Sequence, residues 1–194
     1  QKLIESDLDA VPDGVQLGIP KDLLGKINTP VAQVFDGLLA NDPHDKGIAL
    51  ELLAIHLAID LGLRPFQLRL RSAETGGAEV DLIAEGVHLH YSRWLFQCKN
   101  VKGTVQLHDL AKEVGMAVLL KGHVVVMVTT GRFARTVEEF ASSLAATTPL
   151  QVVLVDGTML ESYKEKGIGF LVDSFRSQAE HTLLVKRSQI MEKE

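Results

Sequence analysis

The sequence predicts a single α/β domain, a sandwich with a central mixed sheet flanked by helices, and three observations carry that prediction. Hydrophobic periodicity changes from helical to alternating at residue 63 and returns to helical after Gly103. Between those points lie three alternating segments joined by turns, the pattern of a meander. Beyond Gly103 the apolar runs HVVVMVTT and LQVVLVD alternate with helical segments, as the strands of an α/β sandwich do. Of 194 residues, 46% are hydrophobic and 23% charged, enough apolar material for one well-cored domain.

Taken in order, residues 1–30 are rich in Asp, Pro and Gly with weak periodicity, and read as an arm with at most a short helix around Asp22 to Lys26. A short helix from Val31 to Ala40 precedes the turn NDPHDKG. Ile48 to Leu61 then forms a mostly apolar helix, with Asp42 or Asp45 as N-cap. LRPFQLRLR (63–71) is the first strand, SAETGGA its turn, EVDLIAE (79–85) the second strand and RWLFQCKN (93–100) the third. A helix to Leu120, the buried strand HVVVMVTT, a helix from Arg132 to Ala146, the strand LQVVLVD and a helix near Gly157 to Lys166 complete the pattern. The expected organisation is an arm over 1–44, a core over 45–170 and a tail over 171–194 packing on that core.

The single cysteine, Cys98, excludes an internal disulfide framework, and no apolar run is long enough to span a bilayer. A soluble, cytoplasmic protein without a membrane partner is expected. The start at Gln1, without a leader, reads as a fragment or processed chain whose natural context includes a further domain. The net charge of −5 argues against a large nonspecific affinity for nucleic acid. Its distribution is uneven: residues 63–102 hold 6 basic and 4 acidic side chains, while 1–62 hold 4 and 10.

That positive block contains a polar constellation in apolar surroundings. In RWLFQCKN, Trp94, Phe96 and Cys98 fall on one side of an extended chain, leaving Gln97 and Lys99 together on the other. In the second strand Asp81 shares a face with Glu79 and Ile83. On the apolar helix Glu51 lies about 140° from His56 and about 180° from Asp60, pointing toward the core. Two carboxylates, an amide oxygen and a backbone carbonyl, that of Cys98, make a hard-oxygen site suited to Mg2+. A lysine beside them can orient a water or stabilise charge on a phosphate. Each residue alone also has a plain reading as a solvated strand or helix-end side chain.

The order Glu51, then Gly77-Ala78-Glu79-Val80-Asp81-Leu82-Ile83-Ala84, then Gln97-Cys98-Lys99, resembles the Mrr-like branch of the PD-(D/E)xK nucleases, in which Gln replaces the second acidic residue. VVVMVTTGRFARTVEEFA and LQVVLVDGTML resemble the elements that follow the catalytic lysine in that branch, so the likeness covers residues 45–162. It implies a restriction endonuclease-like fold and a Mg2+-dependent DNA endonuclease, with Mn2+ as a substitute, from a restriction or genome-defence protein. It implies that Asp81 is the central metal ligand, Gln97 the second-ligand position, Glu51 the helical acidic residue and Lys99 the group acting on the attacking water. A departure is Glu79, at a position where family members often have a small or acidic residue. A homodimer or a further domain would be needed for recognition and double-strand cleavage. The alternatives are a catalytically inactive DNA-binding or protein-interaction module on the same scaffold and a branched-DNA resolvase.

Other features are weaker. His88 and His90 have zinc-ligand spacing without a third ligand and read as hairpin surface residues. Cys98 reads as a core residue rather than a nucleophile, and His56 with Asp60 as a surface pair. The turn at Gly131 lacks a Walker-type lysine, but the N-terminus of the Arg132 helix suits a backbone phosphate. Arg69, Arg71, Lys102, Thr130 and Arg132 are the DNA-contact candidates, with Arg64 and Arg93 in the same basic block.

Overall fold

The structure is a computed structural model and describes residues 20, 23, 25–71, 79–87 and 90–191. Most of the arm, the turn with Gly76 to Ala78, and His88 lie outside the described residues. The chain runs α1 (Val31–Gly37), α2 (Pro43–Asp60), β1 (Arg64–Arg71), β2 (Glu79–Gly86), β3 (Ser92–Lys99), β4 (Thr104–Val105), α3 (Leu107–Leu119), β5 (Val124–Thr129), β6 (Arg132–Phe133), α4 (Arg135–Thr147), β7 (Gln151–Val155), α5 (Gly157–Lys166) and α6 (Ile168–Met191). The sheet order is β1-β2-β3-β5-β7, and β4 pairs with β6 separately. β1, β2 and β3 are antiparallel neighbours, whereas β3, β5 and β7 run parallel. This is the expected mixed sheet.

The helix α2 begins five residues before the expected Ile48. Pro43 stands at its first position, where a missing N–H costs nothing, and Asp42 caps it by accepting from His44 N at 3.1 Å. Its apolar face covers one side of the sheet: Leu50, Leu53 and Leu57 meet Leu82, Phe96 and Val126, joined by Leu160 and Leu171 of α5 and α6. On the opposite side Ile83, Leu95, Val125 and Met127 pack under Leu110 of α3 and Val137 of α4. Every residue of β5 is buried, which is why that strand reads as a continuous apolar run.

Three expectations need correction. The helix expected from Arg132 starts at Arg135, because Arg132 N donates to Gly103 O at 3.1 Å and Ala134 N to Val105 O at 3.1 Å, making the short β4–β6 ladder instead. The segment expected as a C-terminal tail is the 24-residue helix α6; Gly167 ends α5 with φ of 77°, and α6 then buries Leu171 and Phe175. His56 and Asp60 are not a surface pair: the His56 ring lies 2.9 Å from Thr29 O, and Tyr163 donates to Asp60 Oδ2 at 2.6 Å. Among the described residues no helix is long and apolar enough to cross a membrane.

Candidate active site

The β2–β3 ladder runs from Gly86↔Ser92 to Leu82↔Phe96 and goes no further. The next residue of β2 is Asp81, and its side chain takes over the role of a strand partner. Cys98 N donates to Asp81 Oδ2 at 2.6 Å, and Gln97 Nε2 donates to the same oxygen at 2.7 Å. A backbone N–H that has left the ladder must find an acceptor, and here a carboxylate supplies it. Trp94, Phe96 and Cys98 face α2 and the core, while Gln97 lies on the other side, as strand alternation requires.

Asp81 and Gln97 are buried, at 9% and 7% exposure. Burial pushes the Asp81 carboxyl up from 3.8 to about 7; the Cys98 N–H opposes this, and the charges of Glu51, Glu79 and Glu113 add to it. Glu51, largely buried, accepts from Arg69 Nε at 2.8 Å, so its charge is balanced by a guanidinium. Arg69 makes this contact from a left-handed backbone, φ 47°. Cys98 Sγ lies 3.6 Å from Leu50 O, and burial, with the charges of Asp81 and Glu51, holds its thiol well above the ordinary range. This disfavours the thiolate that a nucleophile requires.

Lys99 follows a different course. Its Nζ lies 3.1 Å from Asp109 Oδ1 on α3, and Asp109 is itself fixed because its Oδ2 accepts from Gln106 N at 3.2 Å at the helix start. One turn along the same helix stands Glu113, 2% exposed, which the sequence reading passed over. Its signal was present: Leu110, Glu113 and Ala117 recur at i, i+3 and i+7 on the buried stripe, so a carboxylate occupies an apolar position.

The DNA-contact candidates divide in two. Arg69 is engaged by Glu51, and Arg71 by Glu79, its register partner across β1 and β2. Arg93 pairs with Glu85 at 2.9 Å and donates to Leu120 O at 2.9 Å, a role internal to the domain. Lys102, Thr130 and Arg132, by contrast, line one cavity of about 630 Å³ together with Phe35, Thr104 and Thr158. The turn beneath it is tightly built: Thr129 Oγ1 donates to Lys99 O at 2.8 Å and accepts from Gly131 N at 3.0 Å. A Cβ at Gly131 would lie 2.2 Å from Gly103 O, so glycine is required for this approach. His90 is exposed.

Among the described residues no three His, Cys, Asp or Glu side chains are arranged to hold a metal. The donor set nevertheless suits a hard divalent cation. Gln97 Oε1 and Glu113 Oε1 are the described buried side-chain atoms that make no hydrogen bond, and both belong to residues beside Asp81 or acting on its charge. An orphaned amide oxygen beside a carboxyl that resists ionisation is what a site prepared for a cation presents.

The Mrr_cat model, described as restriction endonuclease, matches residues 39–163. Among solved structures, the MspJI restriction endonuclease in complex with a 27-mer oligonucleotide is similar at 22% identity and a TM-score of 0.45, over 88% of this chain and 39% of that one. The DNA modification-dependent restriction endonuclease AspBHI is similar at 11% identity and a TM-score of 0.46, over 92% and 45%. The chain therefore spans less than half the length of these two proteins. No curated protein matches. With the family model matched across its α2 to α5 elements, the chain belongs to this restriction endonuclease family.

Proposed function

We propose that the chain is the divalent-metal-dependent DNA-cleaving domain of a restriction or genome-defence protein, using Mg2+ or, in its place, Mn2+. The observation that carries this reading is the buried Asp81–Gln97 pair at the end of the β2–β3 ladder, with Gln97 Oε1 left without a partner. Asp81, Gln97 and the Cys98 carbonyl would hold the cation, with Glu51, its charge largely balanced by Arg69, as a further acidic group on α2. The cation would supply Lewis-acid activation of the scissile phosphate and neutralise charge that develops on it.

The remaining work falls to the chain's own groups. Cys98 N–H and the Gln97 amide orient Asp81, so that its other oxygen is presented without rotamer freedom. Lys99, paired with Asp109, stands at the end of the same strand to orient an attacking water or stabilise the phosphate in the transition state. Lys102, Arg132 and the Thr130 hydroxyl would grip the backbone of the DNA. One such site cuts one strand. Double-strand cleavage would need a second copy or two successive events, and recognition would reside in a region beyond this domain. Supercoiled plasmid tests the reading: nicking that requires Mg2+ or Mn2+ and is lost in Asp81→Ala and Lys99→Ala is expected, and equal nicking by all three proteins would sink it.

One observation favours a second reading, a DNA-binding module that does not cut: Glu51 is already balanced by Arg69. That reading expects DNA affinity indifferent to both chelator and Asp81→Ala.

A further inference from the structure

Gln97 is neutral where a carboxylate would give a divalent cation a second negative charge, so the charge must come from elsewhere. Glu51 is the nearest choice from sequence, but its carboxylate accepts from the Arg69 guanidinium at 2.8 Å, which cancels most of what it could offer. Glu79 is likewise bridged by Arg71. Asp109 is committed to Lys99 at 3.1 Å and to the N–H of Gln106. Glu113 is different from all three. It is 2% exposed, it projects from the buried stripe of α3, and its Oε1 makes no hydrogen bond. Lys112 Nζ forms an ion pair with that oxygen at 3.3 Å, but the lysine side chain is 45% exposed, so solvent weakens its hold. Burying a carboxylate on those terms is costly without a stronger counter-charge.

Two further facts locate that counter-charge. Leu110 and Ala117, which flank Glu113 on the stripe, pack with Val80 and Leu95, and Asp109, one turn before Glu113, pairs with Lys99 at 3.1 Å, so this carboxylate belongs to the space under α3 on the side of the sheet where Gln97 lies. Within it, Gln97 supplies the other orphaned oxygen, from a side chain already hydrogen-bonded to Asp81. The two unsatisfied buried acceptors of the described residues thus lie on the same side of the sheet, one of them on the side chain that binds Asp81. We propose that Glu113, from helix α3, supplies the second negative charge of the divalent-cation site, in place of the strand carboxylate that Gln97 replaces. This rests on the metal-dependent reading above and assigns it a residue outside the D…QxK pattern.

The test is Mn2+ binding to the intact chain, followed by titration calorimetry without DNA, beside thermal unfolding in chelator. Glu113→Gln preserves shape and should weaken Mn2+ binding about tenfold or more, whereas Glu51→Gln, already neutralised by Arg69, should weaken it less. In chelator, Glu113→Gln should be as stable as the wild type or more stable, because an uncompensated buried charge has been removed. Returning the charge to the strand, in the double variant Gln97→Glu with Glu113→Gln, should restore most of the lost affinity. Unchanged Mn2+ affinity in Glu113→Gln would overturn the inference while leaving the metal site standing. So would a loss of affinity with reduced stability and no recovery in the double variant, the behaviour of a structural Lys112 partner. Wild-type protein that binds no Mn2+ would overturn both the inference and the reading on which it rests.

Discussion

Asp81→Asn in chelator separates a carboxylate held for a cation from an ordinary buried ion. Both hydrogen bonds to Asp81 converge on Oδ2, so an asparagine can present one oxygen to Cys98 N and Gln97 Nε2 and keep them. What it loses is the ability to ionise. The wild-type carboxyl titrates at about 7 in the folded protein against 3.8 ordinarily, chiefly because it is buried, with Glu51, Glu79 and Glu113 adding to the effect. The folded state therefore binds the proton more tightly than the unfolded chain. The stability this confers is complete below about pH 4 and is lost as the pH rises through about 7. About three units at about 1.4 kcal/mol each give up to roughly 4 kcal/mol. The two proteins should be equally stable at the acidic end of this window and diverge across it. Above pH 7 the Asn variant should lead by up to roughly 4 kcal/mol, on the order of 10 °C in Tm. Added Mn2+ should close most of that gap, since binding at about 100 times Kd stabilises the wild type alone by about 2.7 kcal/mol. Chemical denaturation at several pH values, with chelator and with Mn2+, measures all of this. A variant that is less stable than wild type at pH 8 in chelator would refute the reasoning, because Asp81 would then be an ion satisfied by its two donors.

Three other perturbations have definite expected outcomes. Asp109→Asn keeps an acceptor for Gln106 N but releases the Lys99 ammonium, so single-turnover cleavage should slow about tenfold with DNA affinity unchanged, and should slow no further in a Lys99→Ala background. Lys102→Ala and Arg132→Ala should each flatten the dependence of log affinity on log salt by about 0.9, measured by fluorescence anisotropy on duplex DNA, while Arg71→Ala should leave the slope alone. Gly131→Ala drives a Cβ to 2.2 Å from Gly103 O and 2.7 Å from Val101 O, backbone atoms that cannot yield cheaply, so unfolding should shift by about 1–3 kcal/mol to lower stability.

The parts of the fold and site that could be read in advance are those set by local geometry. Alternation in RWLFQCKN placed Phe96 against α2 and Gln97 opposite it, because successive strand side chains point to opposite faces whatever their neighbours. The pairing of Gln97 with Asp81 followed from the hairpin order of β2 and β3. The direction of Lys99 did not, since its long side chain chooses among carboxylates that only the packed helix α3 brings near. Glu113 was hidden for a related reason: on an amphipathic helix a charge looks solvated until the face it occupies is counted. The acidic partners of Arg69 and Arg71 could not be read in advance, because they come from a helix and from a neighbouring strand. The two-residue ladder that delays α4 is too short to leave a periodic signal.

The loops that follow β3, β5 and β7 are stitched to one another by main-chain bonds: Arg132 N to Gly103 O at 3.1 Å, and Gly157 N to Gly131 O at 2.9 Å. Lys102 and Arg132 therefore share one rigid plate with the end of the strand that carries Gln97 and Lys99. On the proposed reading, a phosphate seated on that plate stands at a fixed offset from the bond to be broken, and the plate works as a ruler. Lengthening any one of these loops would move the cut along the DNA before it abolished cutting.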